Sequence, residues 1–148
     1  IGERTPLLSD CGGLCGAACC RPDEDGQGGV YLFPGEEALL EGAEWGRVEE
    51  DGFAPMLVCD GMCDRDRRPL ACRIFPLTPY PKEDGRWAVR IDARARAMCP
   101  LVRGGVRGLD PEFVRAVRGM IHLLTQDPEG EAFLRRWWEL ERQYRFEL

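Results

Sequence analysis

The cysteines constrain this chain more than any other feature of its sequence. Eight cysteines occur, and most stand in close pairs that are separated by three residues or by none. Thiolate sulfur is the ligand that zinc and iron–sulfur clusters prefer, and a short spacing lets one stretch of backbone supply two ligands. The pattern therefore predicts a metal site. The candidate ligands are Cys11, Cys15, Cys19, Cys20, Cys59, Cys63, Cys72 and Cys99.

An even number of cysteines would also suit four disulfides, which are typical of small secreted domains. The adjacent pair Cys19-Cys20 argues against this, because a bridge between neighbours is strained by the Cα separation that a disulfide requires. No signal peptide and no run of about 20 apolar residues is visible. We therefore expect a cytoplasmic protein with reduced thiols and no membrane partner.

Length and charge limit the fold and the partners. The chain has 148 residues, of which 44 % are hydrophobic, so one domain with a core of its own is possible over residues 1–148. The formal net charge is −6. A nucleic-acid partner is not expected, since phosphate contacts need clustered Lys and Arg.

The pattern of short elements predicts a small, irregular α+β fold. A Cys-rich metal-binding region is expected over residues 1–100, and a helical C-terminal region over 101–148. Prolines and glycines bound short β-type segments in the first region. The predicted elements are a strand at 30–33, a short helix at 36–41, a strand at 53–59, an extended segment at 72–80 and a strand at 87–91. The last two are predicted to pair as a hairpin.

Two capped helices are predicted at the C-terminus. Asp110-Pro111 and Asp127-Pro128 each combine a capping residue with a first-turn proline. Apolar residues then recur at helical spacing in both segments. They are Phe113, Val117, Met120, Ile121 and Leu124 in the first helix, and Phe133, Leu134, Trp137, Trp138, Leu140 and Tyr144 in the second.

The ligand set leaves several arrangements open. The one histidine, His122, falls in the apolar stripe of the first helix and is expected to be half-buried there, so a zinc site would be all-cysteine. Eight thiolates suit two four-coordinate sites, or one site with four bystanders, and an iron–sulfur cluster would also use four. Cys19 and Cys20 could serve two sites, bridge two ions, or leave one thiol packed. Nearby arginines, Arg65 to Arg73, either offset thiolate charge or are solvated.

A resemblance to a known family adds to this interpretation of the cysteines. The pair Cys19-Cys20 and the string Arg-Pro-Leu-Ala-Cys-Arg-Ile-Phe-Pro at residues 68–76 resemble the CxxCxxCC family, a bacterial set described as zinc- or iron-chelating domains. The resemblance covers roughly residues 11–76. It implies a ligand pool made of Cys11, Cys15, Cys19, Cys20, Cys59, Cys63 and Cys72. The assignment of Cys99 depends on the residues alone, since it follows the predicted hairpin and could close a site from the far side.

The function expected from these observations is metal binding through clustered cysteines. Zinc is favoured as the cofactor, with iron or an iron–sulfur cluster as the alternative, and the metal is expected to be structural. Some members of the resembled family are flagellin lysine N-methylases, so an iron–sulfur or methyltransferase-related enzyme is a second hypothesis. No catalytic arrangement is visible, and the glycines of residues 104–108 are interpreted as a plain loop. A third hypothesis is an interaction module with a structural zinc, whose C-terminal helix docks a protein partner or forms a homodimer through Trp137 and Trp138.

Overall fold

A computed structural model describes residues 4–7, 11–21, 28–59, 61 and 63–146, with only the backbone described for 144–146. The side chain of Tyr144 lies outside this part of the chain. The architecture is the expected small α+β arrangement with a pair of helices at the C-terminus. Over the described ranges, no helix has both the length and the apolar character needed to cross a bilayer.

A three-stranded antiparallel sheet forms the first layer. Its strands are β1 (Gly29–Tyr31), β2 (Gly46–Glu50) and β3 (Pro55–Cys59), and β3 lies in the centre. Leu57 pairs with Val30 on one side and with Val48 on the other. The side chain of Leu57 is buried with Leu32 and Leu40, so a small apolar cluster fixes the sheet just before it ends at Cys59. Strand β2 was not predicted from the sequence.

The short helix expected at 36–41 is a 3-10 helix over Glu36–Leu40. The predicted hairpin is confirmed, with β4 (Leu77–Pro81) antiparallel to β5 (Trp87–Ile91). In its turn, Lys82 N donates a hydrogen bond to Arg86 O at 2.8 Å. The extended segment predicted for 72–80 is wrong at its start. A short helix, α2 (Leu70–Ile74), carries Cys72, because the first proline that interrupts a helix comes only at Pro76.

The two C-terminal helices are confirmed as α4 (Pro111–Leu124) and α5 (Pro128–Phe146). Asp110 accepts a hydrogen bond from Phe113 N at 2.8 Å, and Asp127 accepts one from Gly130 N at 2.7 Å. Both carboxylates therefore act as the predicted N-terminal caps. Before them lie α3 (Ala95–Met98) and 3-10 turns over Pro100–Gly108, kinked at Gly105, where a plain loop was predicted.

The main core lies between the hairpin and the helical pair. Helix α4 packs against β5 and helix α5 against β4. Phe133 is 1 % exposed, and its ring centroid lies 4.7 Å from that of Phe33 and 5.8 Å from that of Trp137. The core thus connects the end of β1 with the C-terminal helix.

The two tryptophans of helix α5 occupy different environments. Trp137 is 6 % exposed and packs in the core, and its Nε1 donates to Glu141 Oε1 at 3.2 Å. Trp138 is partly buried beneath Arg90, whose guanidinium carbon lies 4.2 Å from the ring centroid. Replacing Trp137 would therefore test folding before it tested any partner, since its ring fills space between packed side chains.

Candidate metal centre

The N-terminal cysteines lie on two short turns. Helix α1 (Gly12–Cys15) ends at Gly16, where φ is +59°, and a 3-10 turn follows over Ala18–Cys20. A continuous helix over residues 11–19 is therefore not formed, and the chain wraps at the glycine instead. Neither turn contains a buried residue. Hydrophobic burial consequently contributes little to the position of these thiols.

Gly61, which stands between Cys59 and Cys63 in the sequence, lies directly against this N-terminal segment. Gly61, between the two cysteines, has φ +89°, and a Cβ atom placed on it would lie 2.6 Å from the carbonyl oxygen of Cys20. A side chain is excluded there both by the backbone conformation and by the approach of the Cys20 backbone. Cys20 and Gly61, which are distant in sequence, are therefore close together.

Helix α2, which carries Cys72, is held by a carboxylate from another part of the chain. Its first residue, Leu70, donates its backbone N–H to Glu36 Oε1 at 2.6 Å, and Phe33 N donates to Glu36 Oε2 at 2.8 Å. One carboxylate thus caps the helix and fixes it to the end of the first sheet. Burial raises the pKa of Glu36 above its ordinary value, although both backbone hydrogen bonds and Arg73 act in the opposite direction.

Cys99 lies at the end of helix α3 (Ala95–Met98). It follows helix α3, and its backbone N–H donates a hydrogen bond to Ala95 O at 2.8 Å. Its side chain packs against the main core. Helix α3 contacts the turn Ala18–Cys20. Helix α3 therefore brings Cys99 close to the N-terminal cysteines, and its role as a ligand stays a prediction.

All eight cysteines line two adjoining cavities. The first cavity, of about 320 Å³, is lined by Cys11, Cys15, Cys19, Cys72 and Cys99. The second cavity, of about 200 Å³, is lined by Cys19, Cys20, Cys59, Cys63 and Cys72. Cys19 and Cys72 lie on both, and so does Arg68. Thiols from four separate parts of the chain are thus brought to one region of the fold.

Arg68 makes direct contact with the thiols. Its Nε donates to Cys63 Sγ at 3.2 Å, and its Nη2 lies 3.9 Å from Cys20 Sγ. The neighbouring arginines are used differently, because Arg67 donates to the carbonyl of Leu39 at 2.8 Å and Arg73 to that of Arg68 at 2.7 Å. Of the two readings of the arginines, charge compensation therefore describes Arg68, whose guanidinium lies where thiolate charge would develop.

Burial and mutual proximity favour the neutral form of two thiols in the metal-free chain. Burial raises the pKa of Cys72 to about 12, with Arg68 opposing the shift and Cys20, Cys59 and Cys63 adding to it. The hydrogen bond with Cys20, at an Sγ–Sγ distance of 4.0 Å, raises the pKa of Cys19, and burial adds to the effect. Binding of a cation by such thiols releases their protons.

The donors have the right chemistry for zinc, but they do not already form a coordination shell. Among the residues that the structure describes, no group of three or more His, Cys, Asp or Glu side chains is gathered at metal-binding distances. No disulfide joins any of the eight cysteines. Rotation between staggered χ1 rotamers changes the position of each Sγ atom.

Two further residues differ from what the sequence predicted, one at the cavities and one away from them. Met98 lines both cavities with a soft thioether, and sequence reasoning missed it, although it adjoins Cys99. His122 is not half-buried as predicted but exposed on α4, where its Nε2 lies 3.0 Å from Gln126 Nε2.

No family model, no curated protein and no solved structure matches this chain.

Proposed function

We propose that this chain is a metal-binding protein whose cysteine thiols chelate zinc. The observation that carries the proposal is that all eight cysteines line the two adjoining cavities. Cysteines that served only as small apolar side chains would be distributed through the core. Here they are half-buried or exposed, outside the fully buried core, and face shared space.

The composition of the site agrees with this ligand chemistry. Thiolates are soft donors that select zinc and iron–sulfur clusters over magnesium or calcium. A zinc ion with four thiolates carries excess negative charge, and Arg68 already donates to Cys63 Sγ at 3.2 Å. Such contacts around a metal ligand orient it and tune its affinity. Arg68 is therefore assigned the role of holding Cys63 and Cys20 and offsetting their charge.

The metal's role in this proposal is structural. The turns Gly12–Cys15 and Ala18–Cys20 have no buried residue that could hold them on the body of the protein. Metal binding contributes folding free energy in small cysteine sites, and it would stabilise this segment where apolar burial does not. Membership of the CxxCxxCC family and a reducing, cytoplasmic environment for the thiols belong to the same proposal.

Metal analysis of protein purified without oxygen tests the proposal. The preparation is assayed for zinc, iron and acid-labile sulfide, and its visible spectrum is recorded. We expect bound zinc in the wild type, an unchanged content in the His122→Ala control, and a reduced content in a Cys59→Ala/Cys63→Ala variant. A brown preparation that contains iron and sulfide would show that the bound group is an iron–sulfur cluster and not zinc. A folded wild-type protein with no metal and eight reactive thiols would refute metal binding.

A further inference from the structure

The arrangement of the thiols around the two cavities carries a statement about stoichiometry. Building on the proposed function, we infer that the chain holds two separate four-thiolate metal sites, one in each cavity. The first site is formed by Cys11, Cys15, Cys19 and Cys99. The second site is formed by Cys20, Cys59, Cys63 and Cys72. Each set supplies the four ligands that a closed tetrahedral zinc site requires.

Six of the eight thiols are assigned by the cavity that they line. Cys11, Cys15 and Cys99 face the first cavity and not the second. Cys20, Cys59 and Cys63 face the second and not the first. Each cavity therefore has three thiols of its own, and each needs one more to complete four ligands.

The two thiols that line both cavities are assigned by their neighbours. Cys19 adjoins Cys20, which lines only the second cavity, and zinc ligands from one stretch of chain are typically separated by two to four residues. Adjacent thiols are therefore assigned to different ions. Cys19 accordingly completes the first site and Cys72 the second, and no thiolate has to be shared between two ions.

The local backbone explains how adjacent cysteines serve different sites. Cys19 and Cys20 lie in a 3-10 turn, Ala18–Cys20. With three residues per turn, successive side chains point about 120° apart around the axis. The carbonyl of Cys20 also lies close to Gly61, which stands between Cys59 and Cys63 in the sequence. The sulfurs of Cys19 and Cys20 are 4.0 Å apart, and Cys19 also lines the first cavity with the N-terminal cysteines.

Arginines line both cavities, and one of them, Arg68, contacts thiols directly. Arg68 contacts Cys63 and Cys20 in the second site. Arg65 and Arg73 line the first cavity. Binding at either site involves no oxidation or reduction. Each thiol loses its proton to solvent as a metal–sulfur bond forms, and the thiolate provides both electrons of the bond.

Titration of the reduced, metal-free protein with Co²⁺ tests the inference, because tetrahedral cobalt–thiolate centres absorb visible light. We expect the absorbance of the wild type to rise until two equivalents are bound. A Cys11→Ala/Cys15→Ala variant and a Cys59→Ala/Cys63→Ala variant should each retain one equivalent. Far-UV circular dichroism checks that both variants keep the helices α4 and α5.

The outcomes separate the inference from the proposed function. A wild-type endpoint at one equivalent overturns two sites and leaves metal binding intact. No cobalt binding by the folded wild type overturns both. Loss of both equivalents in a folded paired variant also overturns the inference, because it indicates one shared centre. If a paired variant does not fold, the wild-type endpoint still decides, and the single variants Cys99→Ala and Cys63→Ala replace the pairs.

Discussion

Removing the guanidinium of Arg68 should weaken metal binding at the second site. Arg68 donates to Cys63 Sγ at 3.2 Å and lies 3.9 Å from Cys20 Sγ, so Arg68→Ala removes one close and one longer charge-assisted contact. Partners of metal ligands typically contribute 10- to 100-fold in affinity. That corresponds to about 1.4 to 2.8 kcal/mol at 25 °C. We expect a zinc dissociation constant at this site that is larger by about that factor.

Competition between the protein and a zinc-binding dye measures this change. Arg68→Lys keeps the charge but loses the planar fork of donors, so its affinity should fall between those of the wild type and Arg68→Ala. Arg118→Ala, at an exposed position on helix α4, is the matched control and should bind as the wild type does. Wild-type affinity in a folded Arg68→Ala protein would refute the assignment of Arg68 to the second site.

Three other perturbations have defined outcomes. Gly61→Ala places a Cβ 2.6 Å from Cys20 O at a residue with φ +89°, so zinc affinity at the second site should fall in the same dye competition. Gly52→Ala is the control, because Gly52 also has a positive φ but open space around it. Phe133→Ala empties a 1 % exposed core position and should lower the free energy of unfolding in urea by about 3–5 kcal/mol; a loss below about 1 kcal/mol would contradict the packing. Because the pKa of Glu36 is raised in the folded chain, the folded state binds its proton more tightly, so stability from this group should fall as pH rises above 4.5. Comparison of the pH dependence of urea unfolding for the wild type and Glu36→Gln checks this, and identical curves would contradict it.

The elements that were predicted correctly are those whose signals are local. Helices α4 and α5 begin with Asp-Pro pairs that cap their own first turns, and their apolar residues recur along one face. The β4–β5 hairpin is equally local, because its turn joins a strand that contains Pro79 and Pro81 to the apolar strand Trp87–Ile91. Each of these can be recognised without knowledge of any distant residue.

The elements that were missed depend on distant partners. Strand β2 is almost wholly exposed, with Val48 its only branched apolar residue, and it is a strand because β3 offers it a partner. Helix α2 receives its cap from Glu36, which lies 34 residues before Leu70. Short segments of this kind have no periodic signal of their own, so tertiary contacts decide their conformation.

The candidate site shows the same division. The sequence supplies the pool of thiols and the resemblance that groups most of them, but it leaves open one site or two. The proposed assignment of Cys19 and Cys20 to different sites depends on the 3-10 turn, on the approach of Gly61 to Cys20 O and on the position of Cys99 after α3. Contacts between segments far apart in the chain cannot be inferred from spacing alone.

X-ray absorption at the zinc edge tests the central claim most directly, because it reports the atoms bound to the metal in the intact protein. The account predicts a shell of four sulfur atoms at about 2.3 Å, with no nitrogen or oxygen ligand. A shell dominated by oxygen or nitrogen would place the zinc away from the eight thiols and contradict the account.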